Sequence, residues 1–92
     1  MVNHSLKCDP PFFQDMKDGK KQFEYRLNDR NFHVDDWLIL NEYYPDKKKY
    51  SGRQIAVHVR YILKNGLHKF PKDYCIMGID SLRINNEHYI VQ

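Results

Sequence analysis

Lys20, Lys21, Glu24, Arg26 and Arg30 place two ammonium groups, a carboxylate and two guanidinium groups within one short stretch of the chain. A guanidinium offers a planar fork that fits phosphate or a base edge. An ammonium is a compact point charge suited to phosphate. A carboxylate among them accepts from an exocyclic amine or a sugar hydroxyl. The same residue types allow proton chemistry, with Lys21 as base or nucleophile and Glu24 as its acid–base partner. Plainer accounts stand beside these. Lysines are favoured in water near a helix C-terminus, and Glu24 with Arg26 forms an ordinary ion pair within a sheet, worth roughly 0–1 kcal/mol when exposed. The accounts are compatible, because a paired glutamate also holds an arginine in the rotamer that binds.

The elements that position these groups follow from local pattern. Gly19 reads as the glycine that ends a helix. From Phe23 the chain alternates, so Phe23, Tyr25 and Leu27 share one strand face while Glu24, Arg26 and Asn28 share the other, expected outward. Residues two apart on a strand face are roughly 6.5–7 Å apart. The row therefore runs carboxylate, guanidinium, carboxamide, with Lys20 and Lys21 at its entrance and Arg30 at its far end. Upstream, His4 to Cys8 reads as an opening strand with Leu6 and Cys8 on one face. Asp9-Pro10-Pro11 reads as a helix start, with Asp9 capping free amides. Phe12, Phe13 and Met16 form the stripe that faces a sheet; helical spacing favours core packing of both phenylalanines over a base-stacking platform.

Downstream, Asn28-Asp29-Arg30-Asn31 and Asp35-Asp36 read as turns. Trp37 to Tyr44 is apolar on both faces, which suits an enclosed strand. Pro45 to Lys49 is a charged hairpin loop whose lysines solubilise more than they steer. Arg53 to Leu63 is the longest alternation: Ile55, Val57, Val59, Tyr61 and Leu63 are expected inward, and Gln54, His58 and Arg60 outward. Lys64 to Asp73 reads as a loop or a single helical turn, Tyr74 to Ile79 as a buried strand, and Leu82–Ile84 with His88–Val91 as a terminal hairpin. The sum is a single α+β domain over 1–92, mostly β: a small barrel of five to seven strands with one short helix near the N-terminus.

Composition narrows the classes of function. Of 92 residues, 15 are basic and 12 acidic, a net charge of +3, so an anion site has to come from local clustering rather than an overall field. Cys8 and Cys75 form no C-x-x-C pair, and Met1 to Ser5 carries no hydrophobic signal stretch; reduced thiols and a cytoplasmic location are the expectation. No run of apolar residues is long enough for a membrane helix. The histidines at 4, 33, 58, 68 and 88 show no metal-ligand spacing, and no glycine-rich phosphate loop is present, so neither metal nor cofactor is expected.

Gly19-x-Lys21-x-x-Glu24-x-Arg26 resembles the G-x-K-x-x-E-x-R signature of the ASCH (activating signal cointegrator homology) superfamily, whose domains have a PUA-like β-barrel. His4-x-Leu6-Lys7, the aromatic helix before Gly19, Asn28-Asp29-Arg30, Tyr50-x-Gly52-Arg53 and the Tyr74–Ile79 strand are similar to a branch of short bacterial and phage proteins of unknown function. The resemblance covers about residues 4–80, leaving 81–92 as a hairpin extension. It departs at Val34-Asp35-Asp36, where relatives often carry Val-Gly-Asp, so this turn has to accept Asp in the place of glycine. Short ASCH enzymes that deacetylate a modified cytidine share Lys21 but have threonine at the position of Glu24 and a further glutamate on an inserted segment. The resemblance implies a nucleic-acid-binding module, with RNA or a nucleotide as partner, using a cleft beside Lys20, Lys21, Glu24, Arg26 and Arg30. The alternative is a small hydrolase of RNA or a modified nucleoside with Lys21 and Glu24 catalytic. A third reading makes the motif a brace that only holds the barrel together.

Overall fold

Alternating burial along the first strand, β1 (Asn3–Cys8), puts His4, Leu6 and Cys8 inside. The computed structural model describes residues 1–64, 71–84 and 89–91, with side chains for 1–64 and 71–80. Helix α1 (Pro10–Lys17) follows directly. Asp9 holds its N-terminus with the backbone carbonyl, which accepts from the Phe13 N–H at 2.9 Å, and not with the side chain that sequence reasoning chose as the cap. Pro10 and Pro11 occupy the first two helical positions and have no N–H, which leaves only the Phe12 N–H as a target for a side-chain cap. Phe13 and Met16 are buried, but Phe12 is exposed, contrary to the expected stripe. Neighbouring helical residues point about 100° apart, so a sheet that covers Phe13 and Met16 does not cover Phe12.

The helix stops where Gly19 takes a left-handed conformation (φ 76°). The Lys20 N–H reaches back to the Asp15 carbonyl and the Gly19 N–H to that of Met16, a Schellman stop. The remaining strands are β2 (Phe23–Leu27), β3 (Trp37–Tyr44), β4 (Lys49–Lys64), β5 (Tyr74–Ile84) and β6 (Tyr89–Val91). They form one sheet in the order β1-β3-β4-β5-β2, with β6 also on β5, curled into a half-barrel with α1 against β3. β1 runs parallel to β3, and the other pairs are antiparallel. The fold is thus mostly β with one short helix, as the patterning predicts. β5 is continuous through Ile84, so the buried strand and the first arm of the terminal hairpin are one strand. The predicted loop or turn before Asp73 falls, over 65–70, outside the described residues. Among the described residues, no helix is long and apolar enough to cross a membrane.

Leu38, Leu40, Ile55, Val57, Val59, Cys75 and Met77 are core residues from the strands, and Phe13, Met16 and Phe32 join the same cluster. A register shift between Val59 and Tyr61 reverses the alternation of β4. Tyr61 pairs with Gly78 and is exposed, and Ile62 pairs with Met77 and packs on the core. Tyr61 and Leu63 therefore do not continue the inward row that their spacing predicts.

Two buried carboxylates brace the walls. Asp36 accepts from the Val2 and His33 N–H groups, each at 3.0 Å, and lies 2.8 Å from His4 Nε2. Burial alone would raise its pKa, but the His4 and backbone hydrogen bonds outweigh it and the net shift is downward. The preceding Asp35 stands at φ 79°, a left-handed conformation that favours glycine. Glu42 accepts a two-pronged contact from Arg53, Nε to Oε1 at 2.9 Å and Nη2 to Oε2 at 3.0 Å. Arg53 also donates to Gln14 of α1 and lies over the Phe13 ring, so this group fastens the helix to the sheet.

Candidate functional site

β1 and β2 are the two ends of the strand order, and they face each other across an open seam. Here the carbonyls of Lys7 and Ser5 on β1 are met by arginine side chains from the β2 side. Arg26 Nη2 donates to Lys7 O at 2.6 Å, and Arg30 Nη1 donates to Ser5 O at 2.9 Å. Two guanidinium groups thus satisfy edge carbonyls where a further strand would otherwise pair. Asn28 turns the chain between them, its side-chain oxygen accepting from the Phe32 N–H.

The orientation of β2 differs from the expected one. Directly paired residues share a sheet face, and Glu24 pairs with Met77 and Arg26 with Cys75, both fully buried. Glu24 and Arg26 therefore point inward, and Phe23, Tyr25 and Leu27 are left outside. Alternation fixes which residues share a face but not which face is covered.

Turned inward, Glu24 becomes the centre of a triad. Lys21 Nζ donates to its Oε1 at 2.9 Å, and Arg26 Nε donates to its Oε2 at 2.5 Å. The Glu24 side chain is 5% exposed, against 18% for Lys21 and 25% for Arg26, so the carboxylate is the floor and the cations are the accessible part. Lys21 also donates to the Phe23 carbonyl at 3.1 Å, a position it owes to the Schellman stop at Gly19, five residues before the strand's Glu24. An ammonium has three N–H bonds and a guanidinium five. Lys21 uses two of its three here, and Arg26, with Nε–H and one Nη2–H used, keeps three.

These groups line a cleft of about 580 Å³ between β1, the start of α1 and β2. That volume lies in the range of small-molecule and single-nucleotide sites. Lys21, Glu24, Arg26 and Arg30 all line it; Lys20, exposed beyond the helix stop, does not. Lys7, Cys8 and Tyr74 line it too and were not singled out from the sequence, and so does Phe12, which sequence reasoning weighed as a stacking platform and assigned to the core. Phe12 had a signal, since two adjacent helical residues point about 100° apart and one sheet does not cover both. Cys8 sits at the inner wall, where burial first, and then the charge of Glu24, pushes its thiol up to about 11 despite the opposing charges of Arg26 and Lys21. Burial and the raised pKa keep that thiol protonated near neutral pH. Among the described residues, no group of three His, Cys, Asp or Glu could hold a metal ion.

Residues 3–79 match the family described as a domain of unknown function (DUF3850). The chain is also similar to an uncharacterized 12.9 kDa protein in the GpA 3′ region of Escherichia phage P2, with 28% identity over 74 residues. That alignment takes in 80% of this chain, and the chain spans 64% of the phage protein's length. The matched region contains β1, α1, the whole Lys21–Glu24–Arg26 triad and both strands that bound the seam, and by this match the chain belongs to the DUF3850 family.

Proposed function

We propose that this domain binds nucleic acid, with RNA as the expected ligand, in the cleft along the β1–β2 seam. The observation that carries the reading is the triad: a buried carboxylate holds an ammonium and a guanidinium at the wall of a cleft, each with N–H donors left over. Held cations lose little side-chain freedom when they take a phosphate, which favours binding. Arg30, fixed by Ser5 O, adds a third cation to the same wall. Similarity of the G-x-K-x-x-E-x-R stretch to ASCH domains of the PUA-like superfamily supports the same reading, since the matching residues are the ones that converge. Glu24 serves as the positioning group, and Lys21, Arg26 and Arg30 make the contacts.

Binding of a labelled single-stranded RNA, followed by fluorescence anisotropy at two salt concentrations, tests this. Three phosphate contacts give a log–log salt slope near −2 for a single strand, a loss of roughly 20-fold between 50 and 200 mM salt. The pair Lys21→Ala/Arg26→Ala should flatten the slope to about −0.7, that of one contact. Equal binding by the folded double variant refutes the proposal. Turnover of RNA or acylated nucleosides by the same samples would assign the cleft to a hydrolase instead.

A further inference from the structure

Exposed aromatic residues scattered singly over a surface need no explanation. Phe12 and Phe23 are not scattered. They come from different elements, α1 and β2, are 54% and 47% exposed, and both line the cleft. Both rings also converge on one cation: Lys21 Nζ lies 5.5 Å from the Phe12 centroid and 4.9 Å from that of Phe23, within the reach of cation–π attraction. Further along β2, Tyr25 and Tyr74 stack on each other with centroids 5.1 Å apart and planes 27° from parallel, and they line the same cleft. Apolar rings at the mouth thus continue into a stacked pair, while Lys21, Arg26 and Arg30 supply the charge.

Resting on the binding reading above, we infer that the cleft takes an unpaired nucleotide, whose base stacks on Phe12 and Phe23 while Lys21 donates its remaining N–H to the base edge or the adjoining phosphate. A ring stacked against a phenylalanine needs an exposed base face, which a duplex does not offer, because its bases present only their edges. Flat rings and guanidinium groups lining one cleft are the combination that single strands and flipped or bulged nucleotides require. Neither ring belongs to the buried core. The core is complete with Phe13 and Met16 from the same helix, and β2 is held to β5 by its backbone ladder.

The test compares one RNA in two forms, a single-stranded 12-mer carrying 2-aminopurine and the same strand annealed to its complement. Wild type should bind the single strand about ten-fold or more tightly than the duplex and quench the aminopurine as it stacks. Phe12→Ala and Phe23→Ala should each lose roughly five-fold or more in affinity and lose the quenching, while Phe12→Trp retains both. Both positions are half in water, so these variants fold, and circular dichroism checks it. Tyr50→Ala, which removes an exposed ring at the β3–β4 hairpin away from the cleft, should bind as wild type does. Phenylalanine variants that bind within two-fold of wild type overturn the stacking role, as does an equal loss in Tyr50→Ala. If Lys21→Ala/Arg26→Ala still binds weakly in that case, the cleft reading stands and only the stacking falls. Absence of saturable binding by wild type to either form overturns both.

Discussion

Glu24→Gln changes one oxygen to an amide nitrogen at the floor of the seam and removes a negative charge that two cations share. Glu24 accepts from Lys21 on one oxygen and from Arg26 on the other. The amide keeps one acceptor, so one of these bonds survives, and its NH₂ meets the other cation donor to donor. Removing one member of a fully buried ion pair costs about 3–5 kcal/mol. Here the Lys21 and Arg26 side chains are 18% and 25% exposed, so water reaches the cation left behind and the cost is smaller. A hydrogen bond to a charged group contributes about 1.5–3 kcal/mol net. The loss of one such bond gives an expected destabilisation of about 2 kcal/mol, or a midpoint fall of about 8–16 °C for a domain of this size. Urea denaturation at pH 7, followed by Trp37 emission, measures it, and the m-value should stay unchanged because the same surface unfolds. The triad also predicts where the damage spreads: RNA affinity should fall with stability, since Lys21 and Arg26 lose the anchor that points them into the cleft. A variant as stable as wild type within about 0.5 kcal/mol would show that the triad is not an organising feature, and the argument from held cations would go with it.

Acid should unfold the domain through its braced carboxylates. Hydrogen bonds from Arg53, against burial, lower the Glu42 pKa below its ordinary 4.5, and Asp36 is lowered below 3.8 despite burial. The unfolded chain therefore binds more protons in the window just below those values, so stability falls as pH drops through it. Glu42→Gln, read by midpoint against pH, should flatten that limb while lowering stability at pH 7; an unchanged limb counts against the assignment. Cys8, raised to about 11 from 9.0, behaves in the opposite sense: its contribution is intact below pH 9 and is lost as pH rises from 9 towards 11. At pH 8 it should alkylate at the rate of global unfolding, checked by mass spectrometry with and without urea, and rapid labelling of the native protein would contradict the burial. Asp35→Gly relieves a left-handed aspartate but loses a 3.1 Å contact to His58 that is largely in water. The two effects leave stability within about 1 kcal/mol of wild type, whereas Asp36→Ala removes a buried carboxylate with three hydrogen-bond partners and should cost about 3 kcal/mol or more. Thermal midpoints of the pair separate them, and equal losses would refute the distinction.

Much of the candidate site was legible because its members are close in the chain. A helix stop at Gly19 and a strand from Phe23 place Lys21, Glu24 and Arg26 within reach of one another by local geometry alone. Arg30 follows at the next turn. What local geometry does not contain is the opposite wall. The carbonyls of Ser5 and Lys7, the Cys8 thiol and the Phe12 ring reach the cleft only because β1 and β2 end up as the two free edges of one curled sheet. Nothing between residues 3 and 12 announces that.

The same division runs through the fold. The sequence by itself determined the elements: a strand, a proline-started helix ended by glycine, then strands whose order of apolar and polar residues is mostly two-fold. It also determined which residues of β2 share a face. Which face is inside was decided by tertiary structure, because pairing with β5 sets Glu24 beside Met77 and Arg26 beside Cys75. A register shift in β4 likewise sends Tyr61 outward, a change that depends on the partner strand and not on the strand's own residues. Periodicity is a property of one segment, whereas inside and outside exist only once segments pack. The motif's charges could be read from the chain, but their burial around Glu24, and the cleft they line, required the sheet to curl until β2 faces β1.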